Sequence, residues 1–503
     1  MEIIAGFQAL LSFEMVVILL LGVMVGLMLG ALPGLDSTTG VALLLPVTYS
    51  IPPLEALVFF SALYSAVMFG GAITAILFRV PGSPEAIMTA IEGHKFTERG
   101  EAGIALSISF YTSAIGGLIG CIGLYAATPL LASLALRFGP AEYFALGIMG
   151  LSCITSLSGT SQLKGLAAAF FGILLGTVGL DSITGAKRFD FGTNVLLGGI
   201  PLVPACIGLF AASEVFRRIV NRDPMSVTVV EGTENASKAI RYPPMADILR
   251  LKWTTLRASL IGLVIGILPG TGATTAAILA YSAETKFSKD PQGFGKGKAE
   301  GVAAAEAANN SAAVGAMIPL LALGIPGSAT TAVMLGAFMI HNLQPGPLLF
   351  VNNKDLVYGL FAGITISNFL ILAASFLLVR VFARLVLIPY PILATAILTV
   401  CVIGSLSYGD LHAVTLMLIF ACIGLVMELA RYPLAPVLLG LVLTPIVEVS
   451  FRRALLMENY DVVAVITRPI AGTLLLVTLL VLLSPPLKRV WNRARPGSQT
   501  TNT

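Results

Sequence analysis

The sequence predicts an all-α membrane protein with many spans, and three observations support this prediction. Of the 503 residues, 56% are hydrophobic and 11% are charged, whereas soluble domains carry about 25% charged residues. The apolar residues form continuous blocks, and a helix of about 20 residues is long enough to cross a bilayer. The blocks do not alternate with polar residues, which excludes a membrane β-barrel. Counting apolar stretches of about this length, we expect about 11 or 12 spans.

The candidate spans follow one another along the chain. Clear examples are the blocks 15–31, 56–78, 104–127, 166–180, 360–379, 413–429 and 470–483. The first residues lack the basic region and cleavage site of a removed signal peptide. They are therefore predicted to begin the first membrane helix.

One polar segment divides the chain into two predicted membrane halves. We place the halves at 1–216 and 258–485, with the polar linker 217–257 between them and a tail at 486–503. Linker and tail are rich in Lys and Arg, so the positive-inside rule predicts that both are cytoplasmic. A solvated face is the ordinary interpretation of such charge runs.

A Leu-Pro-Gly motif occurs once in each half. Residues 26–39 have the sequence GLMLGALPGLDSTT, and residues 262–275 have the sequence GLVIGILPGTGATT. Proline removes a helix donor and glycine tolerates unusual backbone angles, so each copy is expected to interrupt a membrane helix. The freed backbone groups persist at membrane depth only where protein, water or a ligand covers them. Matching breaks in two halves indicate the binding site of a transporter.

The similarity between the halves extends to a second pair of segments, 64–94 and 309–341. Aligning Pro81-Gly82-Ser83 on Pro326-Gly327-Ser328 places Tyr64 and Ser65 opposite Asn309 and Asn310, and Gly70-Gly71 opposite Gly315-Ala316. We interpret this as an internal duplication, with inverted and parallel repeats both open.

The Leu-Pro-Gly segments are candidate sites for an anion and a cation. A helix that restarts after a break offers unpaired N–H groups and a positive dipole end. Neighbouring hydroxyls add donors for carboxylates and acceptors for Na⁺, although ordinary helix capping is the alternative. The candidate residues are Pro33, Gly34, Asp36, Ser37, Thr38 and Thr39 in the first copy and Pro269, Gly270, Thr271, Thr274 and Thr275 in the second.

Further candidates lie in the second pair of segments. Amides in an Ala-rich membrane stretch are costly to bury alone, and they can bind Na⁺ through oxygen and a carboxylate through nitrogen. Interhelical hydrogen bonding is the alternative. The Pro-Gly-Ser elements are re-entrant tips or further helix breaks, with an interfacial turn as the alternative. These candidates are Tyr64, Ser65, Asn309, Asn310, Ser311, Pro326, Gly327, Ser328, Thr330 and Thr331.

Charged residues near these segments are expected in water. The first Pro-Gly-Ser copy continues into acidic and basic residues, including Glu85 and Glu92, which predicts a wet environment. Glu300 and Glu306 are placed at a loop-to-helix entry near the membrane interface, although a carboxylate at membrane depth is a functional candidate.

Several catalytic motifs are missing from the sequence. It has no Walker A loop, no GxSxG elbow and no HExxH, so neither ATP-driven pumping nor common hydrolysis is supported. We expect no enzyme activity and no cofactor, apart from co-transported Na⁺ or H⁺. Two rival classes stay open: a membrane-embedded enzyme that uses Asp36, Glu306 and His341, and a carrier or channel that needs no partners.

Three passages carry a specific resemblance. The passages GALPGLDSTTGVALLLPVTY, GILPGTGATTAAILAYSAE and AEAANNSAAVGAMIPLLALGIPGSATTAVMLGAFMIHNLQPGP resemble the large membrane subunit of the bacterial tripartite tricarboxylate transporters, the TctA family. The resemblance implies a secondary carrier of citrate-like carboxylates in the inner membrane, driven by an ion gradient, usually Na⁺. It also implies two partners, a small membrane subunit and a periplasmic solute-binding protein.

The resemblance places ligands at the two Leu-Pro-Gly segments and at Asn309-Asn310-Ser311. Because the predicted core contains almost no Lys or Arg, we expect helix N-termini, hydroxyls, amides and co-bound cations to hold the anion rather than an arginine clamp. Asp36 aligns with Gly272, which predicts different roles for the two half-sites. We expect alternating access, with elevator and rocking motions both open, and the oligomeric state is also open.

Overall fold

The fold is helical throughout most of the chain, as predicted. The structure is a computed structural model and describes residues 2–32, 34–157, 162–221, 245–385, 389–409 and 411–494. In chain order its helices are α1 (Glu2–Ala9), α2 (Phe13–Ala31), α3 (Ser37–Leu44), α4 (Pro53–Phe78), α5 (Ile87–Glu98), α6 (Ala102–Ala135), α7 (Pro140–Leu157), α8 (Gln162–Gly176), α9 (Leu202–Cys206), α10 (Ser213–Asn221), α11 (Met245–Leu249), α12 (Lys252–Ile267), α13 (Gly272–Phe287), α14 (Ala299–Gly315), α15 (Met317–Leu323), α16 (Ala329–Ile340), α17 (Pro347–Asn352), α18 (Lys354–Leu385), α19 (Tyr390–Tyr408), α20 (Leu411–Leu429), α21 (Ala435–Met457), α22 (Val462–Thr467) and α23 (Pro469–Ala494).

Shorter elements connect these helices. Within the described ranges, the strands β1 (Gly179–Leu180) and β2 (Lys187–Arg188) form an antiparallel pair. A π-helical turn, Ile207–Ala212, joins α9 to α10 without a loop. A 3₁₀ helix of two turns lies at Leu45–Ser50, and single 3₁₀ turns lie at Pro84–Ala86 and Pro291–Gly293.

Seven described helices are long and apolar enough to cross a membrane, fewer than the 11 or 12 spans expected. They are α2, α4, α6, α18 as far as Val379, α19, α20 and α21. The difference arises because proline and glycine end several apolar segments early. The segments around the Leu-Pro-Gly and Pro-Gly-Ser motifs fold as α3 and α12–α16, each shorter than 18 residues. A hydropathy window does not detect where such helices end.

The chain folds into two compact units. One contains Met1–Arg137 and Ile200–Leu434, and the other contains Phe138–Gly199 and Ala435–Thr503. The predicted halves 1–216 and 258–485 were defined by sequence similarity and not by packing, so their bounds differ from those of the compact units. The duplication stays a prediction. Both ends of the predicted linker are helical, since α10 continues to Asn221 and α12 begins at Lys252.

Helix α4 is the centre of the larger unit, because every residue from Ala56 to Leu77 is buried. It packs closely on α2 through glycine. A Cβ atom added at Gly26 or Gly30 would overlap the carbonyl oxygen of Leu63 or Val67. Small residues allow helix backbones to approach closely in membranes.

Helices α12 and α14 pack in the same manner at matching positions of the aligned segments. A Cβ atom at Gly262 would overlap the carbonyl oxygen of Ala308, and one at Gly266 would lie 2.5 Å from that of Ala312. The close approach fixes the helix that carries the candidate asparagines. The two glycine pairs follow the alignment of 26–39 on 262–275.

The smaller unit contains an ionic cluster beside its hairpin. Asp181 follows β1, and Arg452 Nη1 lies 2.6 Å from its Oδ2. Backbone N–H groups, first that of Thr184, together with Arg452 hold the pKa of Asp181 well below its ordinary value. Opposite charge and donated hydrogen bonds favour the ionised carboxylate, so this cluster ties the hairpin to α21.

Candidate functional site

The two Leu-Pro-Gly segments share one backbone conformation. Gly34 has φ 82° and Gly270 has φ 79°, a left-handed conformation that glycine adopts without penalty. In both segments one helix ends just before the motif and another begins within three residues after it. Pro33 lies outside the described residues, and Pro269 is buried. That each pair of helices forms one discontinuous span stays a prediction.

The first segment begins α3 with a side-chain cap. Asp36 Oδ1 accepts a hydrogen bond of 2.8 Å from the N–H of Thr39, which satisfies one of the free donors at the helix start. Ser37, Thr38 and Thr39 are buried behind it. Asp36 therefore acts as the N-cap of α3, which is the alternative to ligand binding. The hydroxyls of Ser37 and Thr38 do not cap the helix but contact another segment.

Those partners belong to the second Pro-Gly-Ser segment. We call residues 326–331 the Pro-Gly-Ser hub. Its Thr330 Oγ1 lies 2.9 Å from Ser37 Oγ and 3.0 Å from Thr38 Oγ1. The hub thus joins a segment that is almost 300 residues away in the chain, and the three hydroxyls form one buried hydrogen-bonded group.

The hub also contacts α4 and the second Leu-Pro-Gly segment. Tyr64 Oη lies 3.3 Å from Ser328 Oγ, and the N–H of Gly270 donates to the carbonyl of Gly327 at 2.8 Å. Ser328 and Thr331 cap α16 reciprocally, as a capping box. Together with buried Pro326, these contacts make the hub the place where three predicted site segments meet.

The second Leu-Pro-Gly segment offers fewer free hydroxyls. The Thr271 hydroxyl donates to the carbonyls of Ile265 and Leu268 at the end of α12. Thr274 and Thr275 are half-buried at the start of α13. This segment is held by backbone contacts, and its hydroxyls do not join the group around Thr330.

In the segment Asn309-Asn310-Ser311, some side-chain atoms hydrogen-bond to the backbone and others have no partner among the described residues. Ser311 Oγ donates to the Ser259 carbonyl at 2.8 Å, which fits the interhelical interpretation. Asn310 Nδ2 donates to the Glu306 carbonyl at 3.0 Å, while its Oδ1 has no partner. Asn309 is 0% exposed, and among the described residues neither atom of its amide has a hydrogen-bond partner. Ser65, aligned with Asn310, is buried.

Two carboxylates that we expected near water are buried. Glu306 is 0% exposed inside α14 rather than at a loop-to-helix entry. Glu92 is also 0% exposed and accepts backbone N–H groups from Gly297 and Lys298, each at 2.8 Å. The expectation of a wet environment was wrong at Glu92, because the loop before α14 folds over it. Glu85 is half-buried.

Sequence reasoning missed the charged group beside Gly34. A Cβ atom added at Gly34 would overlap the guanidinium of Arg218, whose Nε lies 2.6 Å from Glu214 Oε1. Arg217 Nη2 lies 2.8 Å from the same carboxylate oxygen. Both arginines were placed in a solvated linker, but α10 continues through them and carries them inward. The spacing of Glu214 to Arg217 and Arg218 is typical of ion pairs on a helix.

The described residues give little support to a membrane-embedded enzyme. Glu306 is bonded by hydroxyls of Thr89 and Ser113, whereas half-buried His341 ends α16. Among the described residues, no three His, Cys, Asp or Glu side chains form a group that could hold a metal ion. The convergence of Asp36, Glu306 and His341 that this alternative requires does not appear in their hydrogen bonds.

The fold defines a multi-pass membrane protein, and the comparisons define its family. Residues 16–439 match the family model described as "Tripartite tricarboxylate transporter TctA family". The chain therefore belongs to the TctA family, and the family points to a transporter subunit rather than an enzyme.

Two curated relatives come from Agrobacterium vitis. An "Uncharacterized 52.8 kDa protein in TAR-I ttuC' 3'region" is 36% identical over 478 residues, covering 94% of this chain and 93% of the relative. An "Uncharacterized protein in TAR-II ttuC' 3'region" is 36% identical over 234 residues, covering 45% of this chain and 96% of the relative. No solved structure matches the chain.

Proposed function

We propose that this chain is the large permease subunit of a binding-protein-dependent secondary transporter in the bacterial inner membrane. It imports citrate-like tricarboxylates or other carboxylates. A periplasmic solute-binding protein delivers the substrate, and a small membrane subunit completes the carrier. Uptake is coupled to a cation gradient, with Na⁺ the expected cation, and proceeds by alternating access. Membership of the TctA family supports each of these assignments.

One observation carries the placement of the site. Asn309 is fully buried, and both atoms of its amide are without a partner in the part of the chain that the structure describes. Leaving a buried polar group unpaired costs about 1–3 kcal/mol. A carboxylate would accept from Nδ2 and a cation would be held by Oδ1, so bound substrate and cation would satisfy both atoms. The hydroxyls of the Pro-Gly-Ser hub supply further rotatable donors.

The charge balance favours co-transport of cations. Removing a multiply charged anion from water requires compensation, and the arginines nearest the first Leu-Pro-Gly segment are already paired with Glu214. Positive helix ends and bound cations are the remaining sources of positive charge. We favour an elevator motion of the domain that carries the site.

Uptake of labelled citrate into proteoliposomes tests the proposal. Vesicles contain this subunit with its small partner, with and without a Na⁺ gradient and the cognate binding protein. Wild-type uptake should require both additions. Asn309→Ala should reduce uptake about 10–100-fold, since a hydrogen bond to a charged group contributes about 1.5–3 kcal/mol. The exposed residue Asn194 provides a matched control as Asn194→Ala, with uptake unchanged.

Other outcomes separate the alternatives. Uptake without binding protein or small subunit would assign a self-sufficient symporter. Coupled uptake of a different acid, but not of citrate, would change only the substrate. A wild-type uptake rate that does not change with any cation gradient would contradict secondary transport.

A further inference from the structure

Glu306 has an unusual set of partners for a buried carboxylate. Its side chain is 0% exposed in α14. The Thr89 hydroxyl of α5 donates to Oε1, and the Ser113 hydroxyl of α6 donates to Oε2 at 2.9 Å. Three helices therefore converge on this carboxylate, and all of the groups bonded to it are hydroxyls.

Other buried carboxylates have stronger partners. Glu284 lies 2.9 Å from Arg257 Nη2, and Glu214 is paired with two arginines. Glu92 accepts backbone N–H groups at the start of α14. Of the buried carboxylates in the part of the chain that the structure describes, Glu306 is the one without a cationic side chain or a backbone N–H as its partner.

An ionised carboxylate in an apolar interior requires neutralisation. Burying such a charge unpaired is far more costly than two neutral hydroxyls can offset, so the group binds a proton or pairs with a cation. A third hydroxyl lies on the same face of α6: Ser109 precedes Ser113 by one helical turn and is 0% exposed, and among the described residues its Oγ has no hydrogen-bond partner. Carboxylate and hydroxyl oxygens are the ligands that hard cations prefer.

We propose that Glu306, Thr89, Ser109 and Ser113 form a binding site for one monovalent cation, H⁺ or Na⁺, and that this cation drives uptake. The site differs from the Leu-Pro-Gly segments at which we expected Na⁺ from the sequence. Its role in uptake rests on the proposed function, whereas its occupancy by a cation does not.

The position of Glu306 explains how such a cation would affect the substrate. Asn309 and Asn310 follow it by three and four residues, so they lie on the same face of α14. Thr89 lies in the first turn of α5, directly after the Pro84–Ala86 turn. Ser83 precedes that turn, and among the described residues its buried Oγ has no partner. A cation bound at Glu306 would hold α5 and α6 against α14 and would lower the negative charge next to the substrate amides.

Few ionisable side chains surround Glu306. Glu85, in the turn before α5, repels the charge of Glu306 electrostatically, and Tyr64 lies on α4. Of the neighbouring acids, Glu92 is held by the loop before α14 and by Tyr281, and Glu284 pairs with Arg257. Helix α6 carries no charged residue. A cation response that Glu306→Gln abolishes and Glu85→Gln retains would therefore belong to Glu306 and not to these groups.

Thermal unfolding of the purified protein tests cation binding without transport. A ligand that binds only the folded state raises the unfolding midpoint. We expect the wild-type midpoint to rise when Na⁺ replaces choline, which identifies Na⁺, or when the pH falls at constant salt, which identifies H⁺. Glu306→Gln should lose this response, whereas Glu284→Gln, a buried carboxylate already paired with arginine, should keep it. An insensitive wild type, or an unchanged response in Glu306→Gln, would overturn the site.

Transport then tests the coupling role. In proteoliposomes, Glu306→Gln should exchange labelled for unlabelled carboxylate across the membrane but lose gradient-driven accumulation at least tenfold, and Glu306→Asp should restore part of it. Asn310→Ala should lose both activities. Accumulation that persists in Glu306→Gln, or loss of exchange in a folded Glu306→Gln protein, would overturn the role. If the wild type exchanges no carboxylate, the proposed function fails, and the unfolding measurement still decides the cation site.

Discussion

The two Leu-Pro-Gly segments have nearly the same sequence and backbone but different surroundings. Gly34 and Gly270 differ by three degrees in φ, at 82° and 79°. Gly34 lies under the guanidinium of Arg218, which is paired with Glu214. Gly270 instead donates its N–H to the Gly327 carbonyl. A charged side chain thus covers the glycine of the first segment, whereas a backbone hydrogen bond holds the glycine of the second.

The comparison separates what a duplicated motif determines from what its neighbours determine. Proline and glycine set the local conformation in both copies. The Pro-Gly-Ser hub contacts both copies, through the Thr330 hydroxyl in the first and the Gly327 carbonyl in the second. Among the described residues, only the first copy is also covered by α10 and its arginine. Asp36 caps α3, while the aligned Gly272 has φ 69° and open space around it. The prediction that the two half-sites have different roles is consistent with this difference and awaits transport data.

The largest effect is expected at Gly34. Gly34→Ala adds a Cβ that overlaps Arg218 and forces alanine into a left-handed conformation. We expect a loss of about 2–4 kcal/mol, because backbone strain adds to the displacement of the Arg218 guanidinium from Glu214. The matched control is Gly272→Ala, where nothing lies within 4 Å and only strain remains, about 1–2 kcal/mol. Thermal or denaturant unfolding in detergent measures both; equal losses would contradict the comparison.

The next effect concerns the ion pair. Arg218→Ala leaves Glu214 with Arg217 alone, so the loss should be about 2 kcal/mol, below the 3–5 kcal/mol expected when a buried charge loses every partner. In the second segment, Thr271→Val removes a hydroxyl bonded to backbone carbonyls and should cost about 1 kcal/mol. A larger loss in Thr271→Val than in Arg218→Ala would reverse our account of the two segments.

Asp36 tests capping against charge. Asp36→Ala removes the cap on α3 and should destabilise the protein by about 1 kcal/mol. Asp36→Asn keeps an acceptor for the Thr39 N–H and should unfold at the wild-type midpoint. Uptake measured in parallel gives the role of the charge: a stable Asp36→Asn protein with reduced uptake would assign the carboxylate to ligand or ion binding. Wild-type uptake in Asp36→Asn would leave only the cap.

The smallest effects compare aligned threonines. Thr38→Val breaks the hydrogen bond to Thr330 and should lower stability by about 1 kcal/mol. Thr274→Val changes a half-buried residue and should stay within about 0.5 kcal/mol of the wild type. Unfolding midpoints of the two variants, measured under identical conditions, test whether Thr38→Val is the less stable. The same pair should separate in uptake assays, with Thr38→Val the slower; similar rates would place the hydroxyl group outside the substrate path.

The sequence predicted features that depend on local chemistry. Composition and continuous apolar blocks were sufficient for the helical membrane class, and the Leu-Pro-Gly motifs were sufficient for helix ends at both places. Contacts across long sequence distances were not predictable. Nothing in the composition of 37–39 or 326–331 indicates that Thr330 meets Ser37 and Thr38, because that contact depends on how whole helices pack.

Charged residues were the hardest to place. Arg217 and Arg218 look like the start of a basic loop, and a charge count cannot show that α10 continues through them. The spacing from Glu214 was the available signal. Glu92 was placed near water because it lies in a run of acidic and basic residues, and Glu306 because a loop-to-helix entry was expected there. Their partners, hydroxyls of Thr89 and Ser113 in one case and loop N–H groups in the other, come from segments remote in sequence.

The glycine-to-carbonyl packing of α2 on α4 has a consequence for which helices can move relative to one another. With Gly26 and Gly30 against the carbonyls of Leu63 and Val67, the two backbones leave no room to slide past one another without a steric clash. We therefore expect the pair to move as one rigid body during the proposed transport cycle. Spin labels attached to α2 and α4 would report a single interspin distance in every state, and any distance change would have to appear between labels on separate bodies.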